Sequence, residues 1–135
     1  MTGPREQTKA TASDGSSQVS TADTVPHPRS YGCFPRKIGV YSLEEKVVSL
    51  EHALRSASGL PADILKLPER GYLKPGFYAD VVVFDPATFR DKATFDQPHV
   101  FAPGVRYLFV NGKPVIDEGK YNGTLAGKVL RHTSK

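Results

Sequence analysis

The segment "VRYLFVNGKPVIDEG", residues 105–119, predicts a β-hairpin. Two apolar runs flank Asn111 and Gly112, and this dipeptide readily adopts the positive φ angles that a tight type I′ turn requires. We therefore expect strands near 105–110 and 113–117 that pair with each other in an antiparallel sheet.

A further strand is predicted near 79–84, within "GYLKPGFYADVVVFDP" at residues 71–86. Its uninterrupted run from Val81 to Phe84 is typical of a strand that is covered on both faces. The chain has no internal repeat and no alternation of strands and helices, which argues against a complete parallel-sheet domain. Three strands in one sheet leave a face or an edge unpaired, so we expect either a covering partner or a larger fold.

Short helices are predicted between residues 41 and 67, where "YSLEEKVVSLEHALRSASGLPADILKL" has helical periodicity. Ser42 and Glu45 have the spacing of a capping box, and Ser49 is placed to cap the helix that follows it. Gly59 is expected to end that second helix, and Pro61 to begin a short third one. Each helix has a single apolar face, so it must pack against a larger body.

Composition and charge restrict the function. The net charge of +4 arises from 18 basic and 14 acidic side chains spread along the chain, which argues against nucleic-acid binding. The single cysteine, Cys33, fits a reducing compartment, and no signal peptide or membrane span is recognisable, so we expect a soluble, cytoplasmic protein. Residues 1–26 are polar and lack apolar periodicity, and we expect residues 1 to about 12 to be disordered or unpacked.

The segment "TVPHPRSYGCFPRK", residues 24–37, contains too many prolines and glycines to predict a helix or a strand. It is therefore expected to be an irregular loop. One interpretation is a surface connector stiffened by its X-Pro steps. The other is a rigid anion-binding loop that presents Arg29 or Arg36 to a ligand with little loss of entropy.

The residues alone do not predict a self-contained active site. The histidines are too far apart for the short ligand spacings of zinc sites; they are His27, His52, His99 and His132. Cys33 and His27 could form a thiolate pair, but an ordinary unpaired cysteine is the simpler interpretation. Asp14, in "ASDGS", is first of all a turn residue. Neither a G-x-S-x-G elbow nor a phosphate-binding glycine loop is present.

Several segments in one order nevertheless resemble the C-terminal part of the N-acyl-D-amino-acid deacylases, or D-aminoacylases, of the amidohydrolase superfamily (amidohydrolase 3 type). The likeness runs from about Ala12 to Arg131. The pattern G-x-L-x-x-G-x-x-A-D-V-V-V-x-D at residues 71–85 is shared by many amidohydrolases. The pattern HPR-x-x-G-x-F-P-R at residues 27–36 is much more specific to the deacylases.

This resemblance implies an α/β fold that is a terminal fragment of a metal-dependent (β/α)8 barrel, namely its last strand, loop and helices, joined to the C-terminal half of a small β-sandwich. Residues 1–26 would form a polar leader with a remnant of the barrel end at 12–16. Residues 27–70 would form the substrate loop and the final barrel helices. Residues 71–135 would form the sandwich segment with its hairpin.

The resemblance also implies zinc-dependent hydrolysis of N-acyl-D-amino acids to a carboxylate and a D-amino acid. Asp14 matches the aspartate that handles protons for the metal-bound water, and it would ligate the metal once the missing barrel ligands are present. Arg29 matches the arginine that clamps the substrate α-carboxylate, with His27 beside it as a substrate-binding residue.

The sequence also departs from the family pattern. The family's metal-binding histidines and cysteine lie on earlier strands, which this chain lacks, and polar "EQTKAT" replaces the apolar strand before Ser13. We therefore expect the chain alone to be inactive and to hold no zinc, and we expect a complementing barrel chain as its partner. The alternative is a non-catalytic interaction module, or partner-dependent subunit, that docks through its exposed sheet edge.

Overall fold

A computed structural model describes residues 9–16, 21 and 23–131 of the 135-residue chain. It contains a helical half and a sheet half. The helical elements are α1 (Arg29–Pro35), a π-helix (Arg36–Glu44), α2 (Leu50–Ala57) and α3 (Gly59–Ile64). The strands are β1 (Val81–Phe84), β2 (Val105–Val110), β3 (Lys113–Asp117) and β4 (Lys120–Tyr121). None of the helices within the described ranges is long and apolar enough to cross a membrane.

The sheet confirms the predicted strands. Its four strands are antiparallel and follow chain order, β1-β2-β3-β4. The predicted turn is present between β2 and β3, where φ is 51° at Asn111 and 77° at Gly112. The short edge strand β4 was not predicted. It extends the hairpin into a three-stranded meander.

The prediction of an irregular segment holds for residues 24–28 but is wrong for residues 29–37. The chain there forms α1, which continues directly into the π-helix. Pro28 sits at the N-cap, where a helix needs no backbone N–H, so it does not interrupt the hydrogen bonds. Pro35 lies at the junction, where the bonding changes to the wider pattern seen in the bond from Glu45 N–H to the Val40 carbonyl, 2.8 Å.

The predicted capping signals have different outcomes. Ser49 caps α2, because its hydroxyl accepts a hydrogen bond from the His52 backbone N–H at 3.2 Å. The capping box at Ser42 is wrong: Ser42 lies inside the π-helix, buried, with no hydrogen-bond partner for its hydroxyl. The helix α2 ends just before Gly59, as predicted, but α3 begins at Gly59 and not at Pro61.

The core lies between the π-helix, α2 and the loop that follows β1. It is centred on Ile38, Ala53 and Phe89. The π-helix approaches that loop so closely that a Cβ on Gly39 would lie 2.1 Å from the Phe89 carbonyl oxygen. Phe84 at the end of β1 packs against this cluster, whereas Val82 and Val83 in the middle of the strand are nearly half exposed.

Candidate functional site

A cavity of about 710 Å³ lies where the N-terminal segment, α1 and the π-helix meet the loop after β1. Thr11 lines it from the N-terminal segment, and side chains between positions 91 and 95 line it from the loop after β1. Its lining brings together three cationic side chains, Arg29, Arg36 and Lys37. The predicted site residues all lie at or beside this cavity.

Asp14 and Arg29 form an ion pair. Their side chains meet with 2.9 Å between Oδ2 and Nη2, and they are 87% and 44% exposed. Asp14 has a φ of 50°, a left-handed turn conformation that aspartate tolerates. The next residue, Gly15, passes so close to α1 that a Cβ there would lie 2.9 Å from the Ser30 Cα. The structure therefore brings together the predicted aspartate and arginine.

His27 lies immediately before α1 and lines the same cavity. Its Nδ1 accepts a hydrogen bond from the backbone N–H of Arg29 at 3.0 Å. An accepting Nδ1 places the proton of the neutral imidazole on Nε2. The ring also stands edge-on to Phe95, with 5.0 Å between the ring centroids. These contacts fix both the position and the tautomer of His27.

Arg36 differs from Arg29 in the groups that engage its guanidinium. Its Nε donates to the Tyr41 hydroxyl at 3.1 Å and its Nη1 to Asp91 Oδ2 at 2.8 Å. The hydrogen bond to Tyr41, followed by the hydrogen bond and charge of Asp91, raises the pKa of Arg36. The residues alone left Arg29 and Arg36 as equal candidates for an anion, and the resemblance to the deacylases pointed to Arg29. In the structure the two side chains are similarly exposed, at 44% for Arg29 and 51% for Arg36, but Arg36 pairs with a largely buried carboxylate and Arg29 with an exposed one.

Lys37 is a residue that the sequence analysis missed. Its Nζ donates to the Ser56 hydroxyl at 2.6 Å and also to the Thr11 hydroxyl. Burial lowers the pKa of Lys37, although the nearby Cys33 acts in the opposite direction. The acceptors lie 19 and 26 residues away in the chain, so no local pattern could have indicated these contacts.

The described residues do not fit a complete metal site. Within residues 9–16, 21 and 23–131, no group of three or more His, Cys, Asp or Glu side chains is arranged to hold a metal ion. Asp14 supplies one carboxylate, and that carboxylate faces Arg29. Any metal at this place would need most of its ligands from another polypeptide segment.

Comparison with known proteins gives consistent results. The model described as "Amidohydrolase family" matches residues 6–116. The D-aminoacylase of Alcaligenes xylosoxydans xylosoxydans is 45% identical over 112 residues, which make up 83% of this chain and 23% of that enzyme. A solved D-aminoacylase, studied for its binuclear metal centre, has a TM-score of 0.75 at 46% identity, over 78% of this chain and 22% of its own.

The N-acyl-D-glutamate deacylase of Bordetella bronchiseptica, solved with zinc and a phosphonate inhibitor, has a TM-score of 0.66 at 40% identity, over 76% of this chain and 23% of that one. The chain thus spans less than a quarter of the length of each of these relatives. It aligns with them over most of its own length, however, and the family model covers well over half of it. This chain belongs to the amidohydrolase family.

Proposed function

We propose that this chain is the C-terminal part of a zinc-dependent amidohydrolase that hydrolyses N-acyl-D-amino acids to a carboxylate and a D-amino acid. The observation that carries the proposal is the pairing of Asp14 with Arg29 at the edge of the cavity. In this proposal, the Asp14 carboxylate serves in proton transfer, and the Arg29 guanidinium beside it binds an acid substrate. The relatives that match this chain include enzymes named for this chemistry.

In this proposal Arg29 binds the α-carboxylate of the substrate. A guanidinium presents parallel N–H donors that match the two oxygens of a carboxylate, which an ammonium group cannot do. The Asp14 carboxylate contacts the same guanidinium at 2.9 Å. Because both side chains are substantially exposed, their ion pair is weak and a substrate carboxylate can displace it.

Asp14 and His27 have distinct proposed roles. Asp14, once released from Arg29, exchanges protons at the reacting centre as a general acid and base. His27 is held by the Arg29 backbone through Nδ1, so its Nε2–H can donate to an oxygen of the bound substrate. In the complete enzyme, Asp14 would also be one ligand of the metal. The metal would supply an activated water for the hydrolysis.

The remaining metal ligands and the barrel must come from another polypeptide segment, and we propose that this chain alone holds no zinc and has no activity. Elemental analysis of the purified chain after dialysis is expected to find much less than one zinc per chain. One tightly bound zinc per chain would contradict this. That result would indicate a site formed between copies or by residues outside the described ranges.

The substrate role of Arg29 is tested by Arg29→Ala in the complete context, with this segment joined to or complemented by the missing barrel. Loss of a desolvated charge pair should remove roughly 2 to 4 kcal/mol of transition-state binding. This corresponds to a fall of about thirty- to a thousand-fold in kcat/KM. The fall should be much smaller for a substrate whose α-carboxylate is replaced by a neutral amide.

Arg106→Ala is the matched control, because Arg106 is an exposed arginine on β2, outside the proposed site. It changes the net charge equally and should leave kcat/KM within about two-fold, since surface charges are screened by salt. Equal losses for Arg29→Ala on the acid and the amide substrates would show that Arg29 supports the loop and does not bind the carboxylate.

The second candidate is a non-catalytic module that docks through its exposed sheet edge, and β1 lies at such an edge because it pairs only with β2 among the described strands. A row of apolar side chains crosses all four strands on one face of the sheet, and none of them is fully buried; the row is Val82, Leu108, Ile116 and Tyr121. We propose that this sheet is half of a small β-sandwich, with residues 71–135 as its segment and residues 27–70 as the substrate loop and last barrel helices.

The two candidates differ in what covers this row. Co-expression with a barrel polypeptide that carries the missing histidines should yield a stable, active complex if the first is correct. A stable complex without metal or activity would favour the interaction module. In either case, the single cysteine supports a reducing compartment such as the cytoplasm.

A further inference from the structure

The segment that carries Asp14 is attached to the helices by polar contacts. The Thr11 backbone N–H donates to the Ser56 carbonyl at 2.7 Å, and its hydroxyl donates to the Ser56 hydroxyl at 3.2 Å. Lys37 donates to both of these hydroxyls. Thr11, Lys37 and Ser56 together are called the clasp below. Residues 1 to about 12 were expected to be disordered or unpacked. Residues 1–8 lie outside the described ranges, and the expectation is wrong for Thr11.

The clasp has a firm base on the helical half. Ser56 lies near the end of α2 and is only 1% exposed. Its hydroxyl also donates to the Ala53 carbonyl at 3.0 Å, so its orientation is determined within the helix. Lys37 approaches from the π-helix and forms no ion pair within the described residues. Two of the three N–H donors of its ammonium group are used by the two hydroxyls.

Asp14 lacks the support that burial would supply. Its side chain is 87% exposed, and the only side chain it is bonded to, among those described, is the guanidinium of Arg29. Two residues, Ala12 and Ser13, separate it from Thr11, so the two Cα atoms are at most about 11 Å apart. Because this span is short, the position of Thr11 restricts where Asp14 can lie. The close approach of Gly15 to Ser30 then leaves little freedom on the far side of Asp14.

We propose that Lys37 is a positioning residue that acts through Thr11. In this way the clasp holds Asp14 against Arg29, although no buried side chain anchors the described residues 9–16. The position of Asp14 follows from the contacts above. Its use in proton transfer rests on the proposed function.

A merely structural role for Lys37 makes a different prediction. Lys37→Met should then change the free energy of unfolding of the whole chain, with the loss of two hydrogen bonds set against relief of the desolvation of a partly buried charge. It should not selectively release Thr11. Positioning predicts instead that Lys37→Met releases Thr11 and Asp14 even where global stability is unchanged. The two roles are therefore separated by comparing the local signals of Thr11 and Arg29 with the free energy of unfolding of the whole chain.

The experiment uses the isotopically labelled 135-residue chain without substrate, so its outcome does not depend on the proposed activity. Amide exchange of Thr11 and the Arg29 Nε–H resonance are recorded for wild type, Lys37→Met and Lys37→Arg. An Asp14→Asn chain supplies the reference resonance for an Arg29 without its carboxylate. Lys113→Met, an exposed lysine on β3, is the control for loss of one positive charge.

Lys37→Met is expected to speed Thr11 exchange at least ten-fold and to move the Arg29 resonance towards that of Asp14→Asn. Lys37→Arg should keep both signals close to those of wild type, and Lys113→Met should change neither. If Lys37→Met does not fold, Thr11→Val keeps Lys37 and removes only the hydroxyl, and it should give the same Arg29 shift. Thr11 exchange within two-fold of wild type, or an unmoved Arg29 resonance in the folded variant, would overturn the proposal.

Discussion

The helical half and the sheet half of this chain are stabilised in different ways. Most buried apolar residues lie in the helices and in the loop packed on them, whereas no residue of the four described strands is fully buried. The sheet nevertheless has regular pairing across all of its strands. Backbone hydrogen bonds and turn geometry thus define the sheet, while close packing and long-range polar contacts define the helical half. Substitutions that separate these two kinds of stabilisation test the comparison.

The largest effect is expected at Gly39, where the helical half packs most closely. Gly39→Ala places a Cβ 2.1 Å from the Phe89 carbonyl oxygen, and neither backbone can move away without disturbing the core. We expect a loss of about 3 kcal/mol in the free energy of unfolding, measured by urea denaturation. Gly127→Ala is the control, because nothing lies within 4 Å of its added Cβ. Similar losses for the two variants would contradict the claim of close packing.

The second effect concerns the hairpin turn. The Asn111 side chain donates to the Ala126 carbonyl at 2.7 Å and accepts from Arg70 at 2.6 Å. Asn111→Ala removes both bonds and leaves alanine at positive φ, so we expect a loss of about 1 to 2 kcal/mol in the free energy of unfolding. Asn111→Gly removes the bonds but adopts this φ freely. A loss for Asn111→Gly as large as that for Asn111→Ala would show that backbone conformation contributes nothing.

The third effect is the pH dependence that Lys37 introduces. Because burial lowers its pKa in the folded state, the unfolded chain binds more protons between that pKa and the ordinary value of 10.5. The free energy of unfolding of wild type should therefore rise relative to Lys37→Met as the pH increases through this window. Both chains should carry Cys33→Ala, so that the electrostatic effect of this neighbour on Lys37 is absent. A difference that stays constant between pH 7 and 10.5 would show that the ammonium is not desolvated.

The smallest effect is expected on the open face of the sheet. Val82 is 49% exposed, so Val82→Thr should change the free energy of unfolding of the isolated chain by no more than about 0.5 kcal/mol. Val105→Thr should be clearly more destabilising, because Val105 packs against the core cluster. When a covering partner is bound, Val82→Thr should instead weaken the complex. An unchanged affinity would show that the partner binds elsewhere.

Local sequence rules predicted the sheet well because they act over a few residues. The Asn111-Gly112 turn requires only two adjacent residues that tolerate positive φ, and the Ser49 cap requires only a hydroxyl three residues before an N–H. The same rules failed at residues 29–37. The number of prolines argued against a helix, but Pro28 lies at the start of a helix and Pro35 at the change from α-helix to π-helix, where prolines are tolerated.

The sequence by itself determined three of the four strands, the hairpin turn, the cap of α2 and the family to which the chain belongs. Only the tertiary structure decided that Arg36 pairs with the largely buried Asp91 and Arg29 with the exposed Asp14, because Asp91 lies 55 residues from Arg36 in the chain. Only the tertiary structure also placed Lys37 against Thr11 and Ser56. The physical reason is that an ion pair or a hydrogen bond depends on distance in space, which the fold sets, whereas turns and caps depend on distance along the chain.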